Sequence, residues 1–348
     1  MRKNIGAFAL AALTALTLAG CGSSGAAQSA TSSAASSASS SAASSSDTGS
    51  AADSVSTVSA ADSVSTVSAD SLETPSANES AGSDSSDGAE AEGTLDSYSV
   101  ENPVTVKVGL TAAIYEDIWN PIKDDLAKEG INIELVQFSD YISPDEALEN
   151  DELTITSHQH HAFLDATKAD QGWDDLVSAG DTFIIAMNLY SNKYDDVSEI
   201  QDGDQIAIPD DASNGGRALK LLANAGLIEL SDDAGANPEV SDITKYNKQI
   251  DIVEMNASDV PSALADVDAA VVNGNYALDA GIDPDTAIYE ESKYDDDSYF
   301  CLIAVKDKNK DTKAVKRIME RFQTDETKQI FQDEFKGYFK SAWDYKFS

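Results

Sequence analysis

All three histidines of the chain fall within four residues, in the run Ser157-His158-Gln159-His160-His161-Ala162-Phe163. Clustered imidazoles are zinc chemistry. At strand spacing His158 and His160 share a face and His161 opposes it, so no more than two could ligate one ion. No cysteine is near, and carboxylates would have to complete such a site. Polar and aromatic lining of a pocket is a second reading of the same residues, and exposed histidines without a role a third. A second run, Ile208-Pro209-Asp210-Asp211-Ala212-Ser213-Asn214-Gly215-Gly216-Arg217-Ala218-Leu219, places two glycines and an arginine after a strand that ends at Pro209. Ser213 or Asn214 is the expected N-cap, and Arg217 is expected in the first helical turn. Free N–H groups beside a guanidinium would cradle a carboxylate or a phosphate. The run has no Gly-Lys-Ser/Thr and is not a P-loop. A capped helix with Arg217 facing solvent also accounts for it. In the third run, Asp268-Ala269-Ala270-Val271-Val272-Asn273-Gly274-Asn275-Tyr276, Asn273 leaves the carboxyl end of a buried strand. That is where open α/β sheets hold ligands, and an amide there can accept from an ammonium or donate to a carboxylate. An Asn-Gly turn is the alternative. No nucleophile motif, no His-Glu-x-x-His and no paired carboxylates stand out, so no enzymatic activity is expected.

The elements that must position these runs are α/β throughout. Val104, Val106 and Val108 alternate as a strand that Gly109 is expected to break. Ile114, Ile118, Ile122 and Leu126 follow at helical spacing, with Gly130 as the stop, and Pro121 predicts a kink or a late start. Ile131–Phe138 completes a βαβ unit and implies a parallel sheet. Further strands are predicted at Phe183–Leu189, Gln205–Pro209, Ile250–Glu254 and Ala269–Val272. Helices are predicted at Arg217–Ala225, closed by Gly226, at Val260–Ala265, at Thr312–Phe322 and at Asp325–Phe335. About 250 residues of this pattern imply two lobes.

The chain of 348 residues has a formal net charge of −39, and residues 101–348 alone hold 51 acids against 21 bases. So negative a surface repels phosphate backbones, which excludes nucleic acid as a partner, and it gains nothing from anionic lipid. The N-terminus sets the compartment. Arg2 and Lys3 precede an apolar stretch, Ile5–Ala19, too short to span a bilayer, which needs about 20 apolar residues. Residues 1–20 read as a signal peptide that ends Leu18-Ala19-Gly20-Cys21. This resembles the lipobox of bacterial lipoproteins, in which the cysteine sulfur receives a diacylglycerol with acyl chains such as palmitate. Cys21 is thus the expected lipidation site, and Cys301 is left with no disulfide partner. Residues 22–100 are Ser/Ala-rich, carry 11 acids and no Lys or Arg, and repeat ADSVSTVSA without change at 52–60 and 61–69. Too little apolar bulk is present to offset chain entropy, so residues 21–100 are expected to be a disordered tether with a reach of about 50 Å.

Taken in order, the runs resemble a known family. Residues 104–343 are similar to the NlpA-type methionine-binding lipoproteins, the solute receptors of methionine ABC importers. The resemblance is carried by Phe138-Ser139-Asp140-Tyr141, Pro144 with Ala147-Leu148, Gln159-His160, Phe163-Leu164 and Leu189-Tyr190-Ser191. It continues in Asn214-Gly215-Gly216-Arg217-Ala218-Leu219, Val272-Asn273-Gly274-Asn275-Tyr276-Ala277 and Ala342-Trp343. It implies a two-lobed periplasmic-binding-protein-like fold, type II-like, with crossovers near 183–190 and 268–276. Lobe 1 would span about 101–185 and 274–348, and lobe 2 about 186–273. Carried over by position, Arg217 would clamp an α-carboxylate, Asn273 would bind the amino-acid head, and Asn214 belongs to the same motif. Tyr141, His160 and Phe163 would line the side-chain pocket, where a thioether favours aromatic edges. Two positions depart from the family. His158 stands where an aromatic is usual, and Cys301 where an Asn tends to stand, so both count as site residues. The expectation is a receptor lipid-anchored on the extracytoplasmic face of the cell membrane that captures methionine and hands it to a permease. With no Walker motif in the chain, the ATPase is a separate protein, and no cofactor is implied. A different amino acid, a methionine-containing dipeptide, a metal receptor and a surface adhesin stay as alternatives.

Overall fold

The computed structural model describes residues 92–347. The signal peptide at 1–20, Cys21 and the tether up to residue 91 lie outside the described residues. In chain order the elements are β1 (Val104–Leu110), α1 (Tyr115–Ala127), β2 (Ile131–Gln137), α2 (Ser143–Glu149), β3 (Ile155–Thr156) and α3 (His161–Gln171). Then come β4 (Leu176–Asp181), β5 (Phe183–Ile184), β6 (Met187–Tyr190), β7 (Gln205–Pro209), α4 (Ala212–Asn224), β8 (Ile228–Leu230), β9 (Ile243–Tyr246) and β10 (Asp251–Met255). The remainder are α5 (Val260–Ala263), β11 (Ala269–Asn273), α6 (Gly274–Asp279), β12 (Leu302–Lys306), α7 (Lys313–Phe322), α8 (Asp325–Asp333) and β13 (Lys340–Ser341).

Two sheets build two lobes. The first has the order β2-β1-β3-β12-β4, with β2 and β3 parallel to β1 and β12 antiparallel to its neighbours. The second has the order β10-β7-β11-β6, parallel except for β6. The βαβ unit forms as the alternation predicts. Val104, Val106 and Val108 are buried on β1, and Ile118, Ile122 and Leu126 on α1. β1 runs straight through Gly109 instead of breaking there. The position needs a small residue, since a Cβ would lie 2.6 Å from the Leu153 side chain. Pro121 sits inside α1, which starts at Tyr115 and runs on to Ala127 without a late start.

The predicted strand 183–189 is split. Phe183–Ile184 pairs with β13 while Met187–Tyr190 pairs with β11, so Ile185 and Ala186 carry the chain from one lobe to the other. The return lies later than the resemblance implies. After Asn273 the chain stays with the second lobe, where Tyr276 and Ala277 pack with Ala207, Val260 and Leu264. Leu189 still donates to the Tyr289 carbonyl, and backbone pairing with the first lobe resumes at Ser298 and Phe300, whose carbonyls accept from Ala162 N and His161 N, and at Cys301, which donates to Phe183 O. The folded part also begins before residue 101. A turn closed between Thr94 and Ser97 sets Leu95 and Tyr98 against the first core, and Leu95 O accepts from Ala314 N at 2.8 Å. Gly130 permits this: its φ is +89°, and a Cβ there would stand 2.2 Å from Ser99 O. Among the described residues no helix is long and apolar enough to cross a membrane.

Candidate functional site

Loops at strand ends of both lobes meet at one cavity. Tyr141 comes from the β2–α2 loop, His158 and His160 from the β3–α3 loop, and Phe163 from the first turn of α3. The second lobe supplies Asn214 and Arg217 from α4 and Asn273 from the end of β11, while Cys301 immediately precedes β12. All eight line the cavity, together with Tyr115, Gln159, Ile185, Gly274 and Asn275. It holds about 350 Å³ of space unfilled by protein atoms, part of it continuous with solvent.

The Asn-Gly-Gly-Arg run works differently from the cradle its residues predict. α4 starts at Ala212, five residues before the predicted Arg217 start. Its N-cap is Asp211, which accepts from Asn214 N, and not Ser213 or Asn214. Arg217 therefore sits in the second turn. The glycines serve packing within the protein. A Cβ on Gly215 would stand 2.9 Å from Pro209 O, and one on Gly216 2.9 Å from Asn237 Cα.

An imidazole and two amides form a buried relay. His160 caps α3: its Nδ1 accepts from Phe163 N at 3.1 Å, so Nε2 carries the proton and donates to Asn214 Oδ1 at 3.2 Å. Asn214 Oδ1 also accepts from Asn273 Nδ2 at 2.8 Å, and Asn214 Nδ2 donates to Asp211. The Asn214 amide is thus fully used by protein groups and acts as a strut. Asn273 Oδ1 is left buried without a partner, and so is Asn275 Nδ2, whose Oδ1 accepts from Tyr141 Oη at 2.7 Å. His158 Nδ1 and Gln159 Oε1 are further unpartnered acceptors on cavity residues, and the Asn273 acceptor and the Asn275 donor, two residues apart, are complementary to an ammonium and a carboxylate respectively.

Arg217 is 4% exposed and already holds a counterion. Its Nε donates to Glu291 Oε1 at 2.8 Å, and its Nη2 to Glu291 Oε2 at 2.5 Å and to Ile185 O at 3.0 Å. Burial opposes the guanidinium charge, but the Glu291 carboxylate more than offsets this and holds the pKa above its ordinary value. Tyr299 stacks on the guanidinium at 4.5 Å. Sequence reasoning missed Glu291 and Tyr299, because Glu291 lies in a run of five acids between 290 and 297 broken only by Ser292, Lys293 and Tyr294 and no spacing marks it out.

The three histidines part company as the spacing predicts. Burial pushes His158 down to about 4 and His160 down to about 3, so both are neutral near pH 7. His158 Nε2 lies 3.0 Å from the Tyr141 carbonyl, which can only accept, so that nitrogen bears the proton and Nδ1 is a buried acceptor without a partner. His161 is outside the cavity, with Nε2 2.7 Å from Asp181 Oδ1, and that hydrogen bond raises its pKa. Among the described residues no three His, Cys, Asp or Glu side chains converge as a metal ion requires. Burial pushes the Cys301 thiol up to about 12, so it forms the wall as a neutral, weakly polar group. The apolar end of the cavity is aromatic: Tyr141 stacks on Tyr276 at 4.8 Å, and Phe163 meets Tyr141 edge-on at 5.6 Å.

A family model described as NlpA lipoprotein matches residues 106–343, which takes in both sheets and every residue of the cavity. The chain belongs to the NlpA lipoprotein family. A lipoprotein family implies an extracytoplasmic, membrane-anchored protein. The D-methionine-binding lipoprotein MetQ of Escherichia coli (strain K12) is 35% identical over 248 residues, which cover 70% of this chain and 90% of that relative. The structure of a nutrient binding protein from Burkholderia cenocepacia bound to methionine is similar with a TM-score of 0.65 and 37% identity, covering 68% of this chain and 99% of the other. The substrate binding protein of a methionine transporter from Streptococcus pneumoniae is similar with a TM-score of 0.65 and 32% identity, covering 69% and 96%. This NlpA-family chain therefore has the two-lobed fold of solute-binding proteins.

Proposed function

We propose that the protein is the receptor of an ABC importer, lipid-anchored through Cys21 on the extracytoplasmic face of the membrane, and that it captures methionine between its lobes. The observation that carries this reading is the pairing of an unpartnered acceptor, Asn273 Oδ1, with an unpartnered donor, Asn275 Nδ2, beside Arg217 in an aromatic-walled cavity. A zwitterionic head satisfies these groups, and a soft side chain suits the walls of Tyr115, Tyr141 and Phe163. Lobe closure buries the ligand, and the closed form docks on a permease driven by a separate ATPase. Titration calorimetry with L- and D-methionine, after copurifying ligand has been stripped by unfolding and refolding, tests the reading. Saturable binding of one ligand per chain is expected, and absence of heat with either isomer would overturn it.

A methionine-containing dipeptide is the second reading. It is favoured by a larger cleft on the far side of Arg217, about 1450 Å³ by the same measure, lined by Lys220, Asn237, Glu290 and Tyr299 among others. A second residue attached to the head group has room there.

A further inference from the structure

We propose that Glu291 is the positioning residue that sets the charge selectivity of the cavity: by fixing and neutralising Arg217, it makes the site specific for a ligand carrying both an ammonium and a carboxylate. This rests on the amino-acid reading above.

Glu291 does not line the inner cavity. It stands behind Arg217 and faces the outer clefts. Its own position is fixed from several sides. Oε2 accepts from Met187 N at 3.1 Å and from Tyr294 Oη at 3.1 Å, and its backbone N–H donates to Asn188 Oδ1 at 3.0 Å. These groups belong to β6 and to the 288–294 segment, so the carboxylate is anchored to the second lobe independently of Arg217. The bidentate contact uses Nε and Nη2. Nη1 has no hydrogen-bond partner among the described residues and is the terminal nitrogen left for a ligand.

The charge count follows. Of the cavity-lining residues, Arg217 alone is charged near neutral pH, since His158 and His160 are neutral and Tyr115, Tyr141 and Cys301 are protonated. Glu291 cancels that one charge. A buried site of zero net charge penalises any ligand that brings an uncompensated charge, whichever its sign. A lone carboxylate gains only a guanidinium that is already paired, and it leaves Asn273 Oδ1 with no donor. A zwitterion satisfies both ends. Without Glu291 the guanidinium would carry a full unpaired charge, and an anion would become the better match.

Calorimetric titration of the full chain with L-methionine and with its deaminated analogue, which keeps thioether and carboxylate but lacks the amine, tests this. Wild type is expected to prefer methionine by at least ~100-fold, and Glu291→Gln to narrow that ratio at least ~10-fold by strengthening the anion's binding. Equal weakening of both ligands in Glu291→Gln would reduce Glu291 to a structural role and overturn the proposal. If Glu291→Gln does not fold, Glu291→Asp decides. It keeps the charge but withdraws the carboxylate by one methylene, and it is expected to weaken methionine at least ~10-fold with the ratio kept. Unchanged methionine affinity in Glu291→Asp would overturn the proposal. Wild type that binds neither ligand would instead bring down the amino-acid reading, and the proposal with it.

Discussion

His160 and Asn214, 54 residues apart and on opposite lobes, meet through a buried Nε2–H···Oδ1 hydrogen bond of 3.2 Å. The same imidazole caps α3 through Nδ1, so one side chain ties a helix terminus of the first lobe to the strut of the second. His160→Ala removes both bonds at once. The cap alone is worth about 0.5–2 kcal/mol, and a loss in that range is expected in urea unfolding, together with weaker ligand binding. A variant as stable as wild type would show that the relay carries no energy.

Arg217→Ala is expected to lower ligand affinity by about 3–5 kcal/mol and to destabilise the fold, because Glu291 is left buried without its counterion. The two effects separate in the double variant. Arg217→Ala with Glu291→Gln should regain most of the stability, read by thermal melting, and none of the affinity. Recovery of binding in the double variant would take Arg217 out of the site.

Tyr141→Phe keeps the aromatic wall and removes the hydroxyl that donates to Asn275 Oδ1 at 2.7 Å. An orphaned buried acceptor costs about 1–3 kcal/mol, and because this bond also joins the two lobes, the cost should fall on the closed form. Calorimetry is expected to show an affinity loss of that size with little change in melting temperature of the free protein. Unchanged affinity would mean that the lobes close without this contact.

Stability should fall on mild acidification. Burial lowers His158 from 6.5 to about 4 and His160 from 6.5 to about 3, so below pH 6.5 the unfolded chain takes up protons that the folded chain does not. Their contribution is complete above 6.5 and is lost as the pH drops toward 4. Asp145 acts in the opposite sense. Burial raises its carboxyl from 3.8 to about 7, so its charged form costs stability above that value and the cost is relieved as the pH falls. Two imidazoles outweigh one carboxyl. Asp145→Asn removes the opposing gain, and its stability relative to wild type should drop by roughly 1.4 kcal/mol for each pH unit between about 6 and 4. Urea unfolding at several pH values reads this directly, and parallel curves for the two proteins would contradict it.

Much of this was legible in the sequence, for identifiable reasons. The alternation of Val104, Val106 and Val108 and the helical spacing of Ile118, Ile122 and Leu126 each mark one buried face, and Gln205–Pro209 is a strand at its predicted bounds. His158, His160, Phe163, Asn214, Arg217 and Asn273 were reachable because they sit in runs with unusual composition at strand ends, whereas Tyr141 and Cys301 were reached only through the family resemblance. Other features left no such mark. The start of α4 is masked by two glycines, poor helix formers kept because Pro209 and Asn237 approach too closely for any side chain. The crossing at Ile185–Ala186 lies inside an unbroken apolar run, since both flanking strands are buried, and periodicity cannot show a change of sheet. Glu291 is one acid among many until the fold brings it to Arg217.

The most direct measurement is native mass spectrometry of the full chain purified without added ligand, before and after unfolding. The account predicts an increment of methionine's mass on the folded protein, lost on unfolding and restored when methionine is added back. A folded protein that carries no such increment and takes up none from added methionine would contradict it.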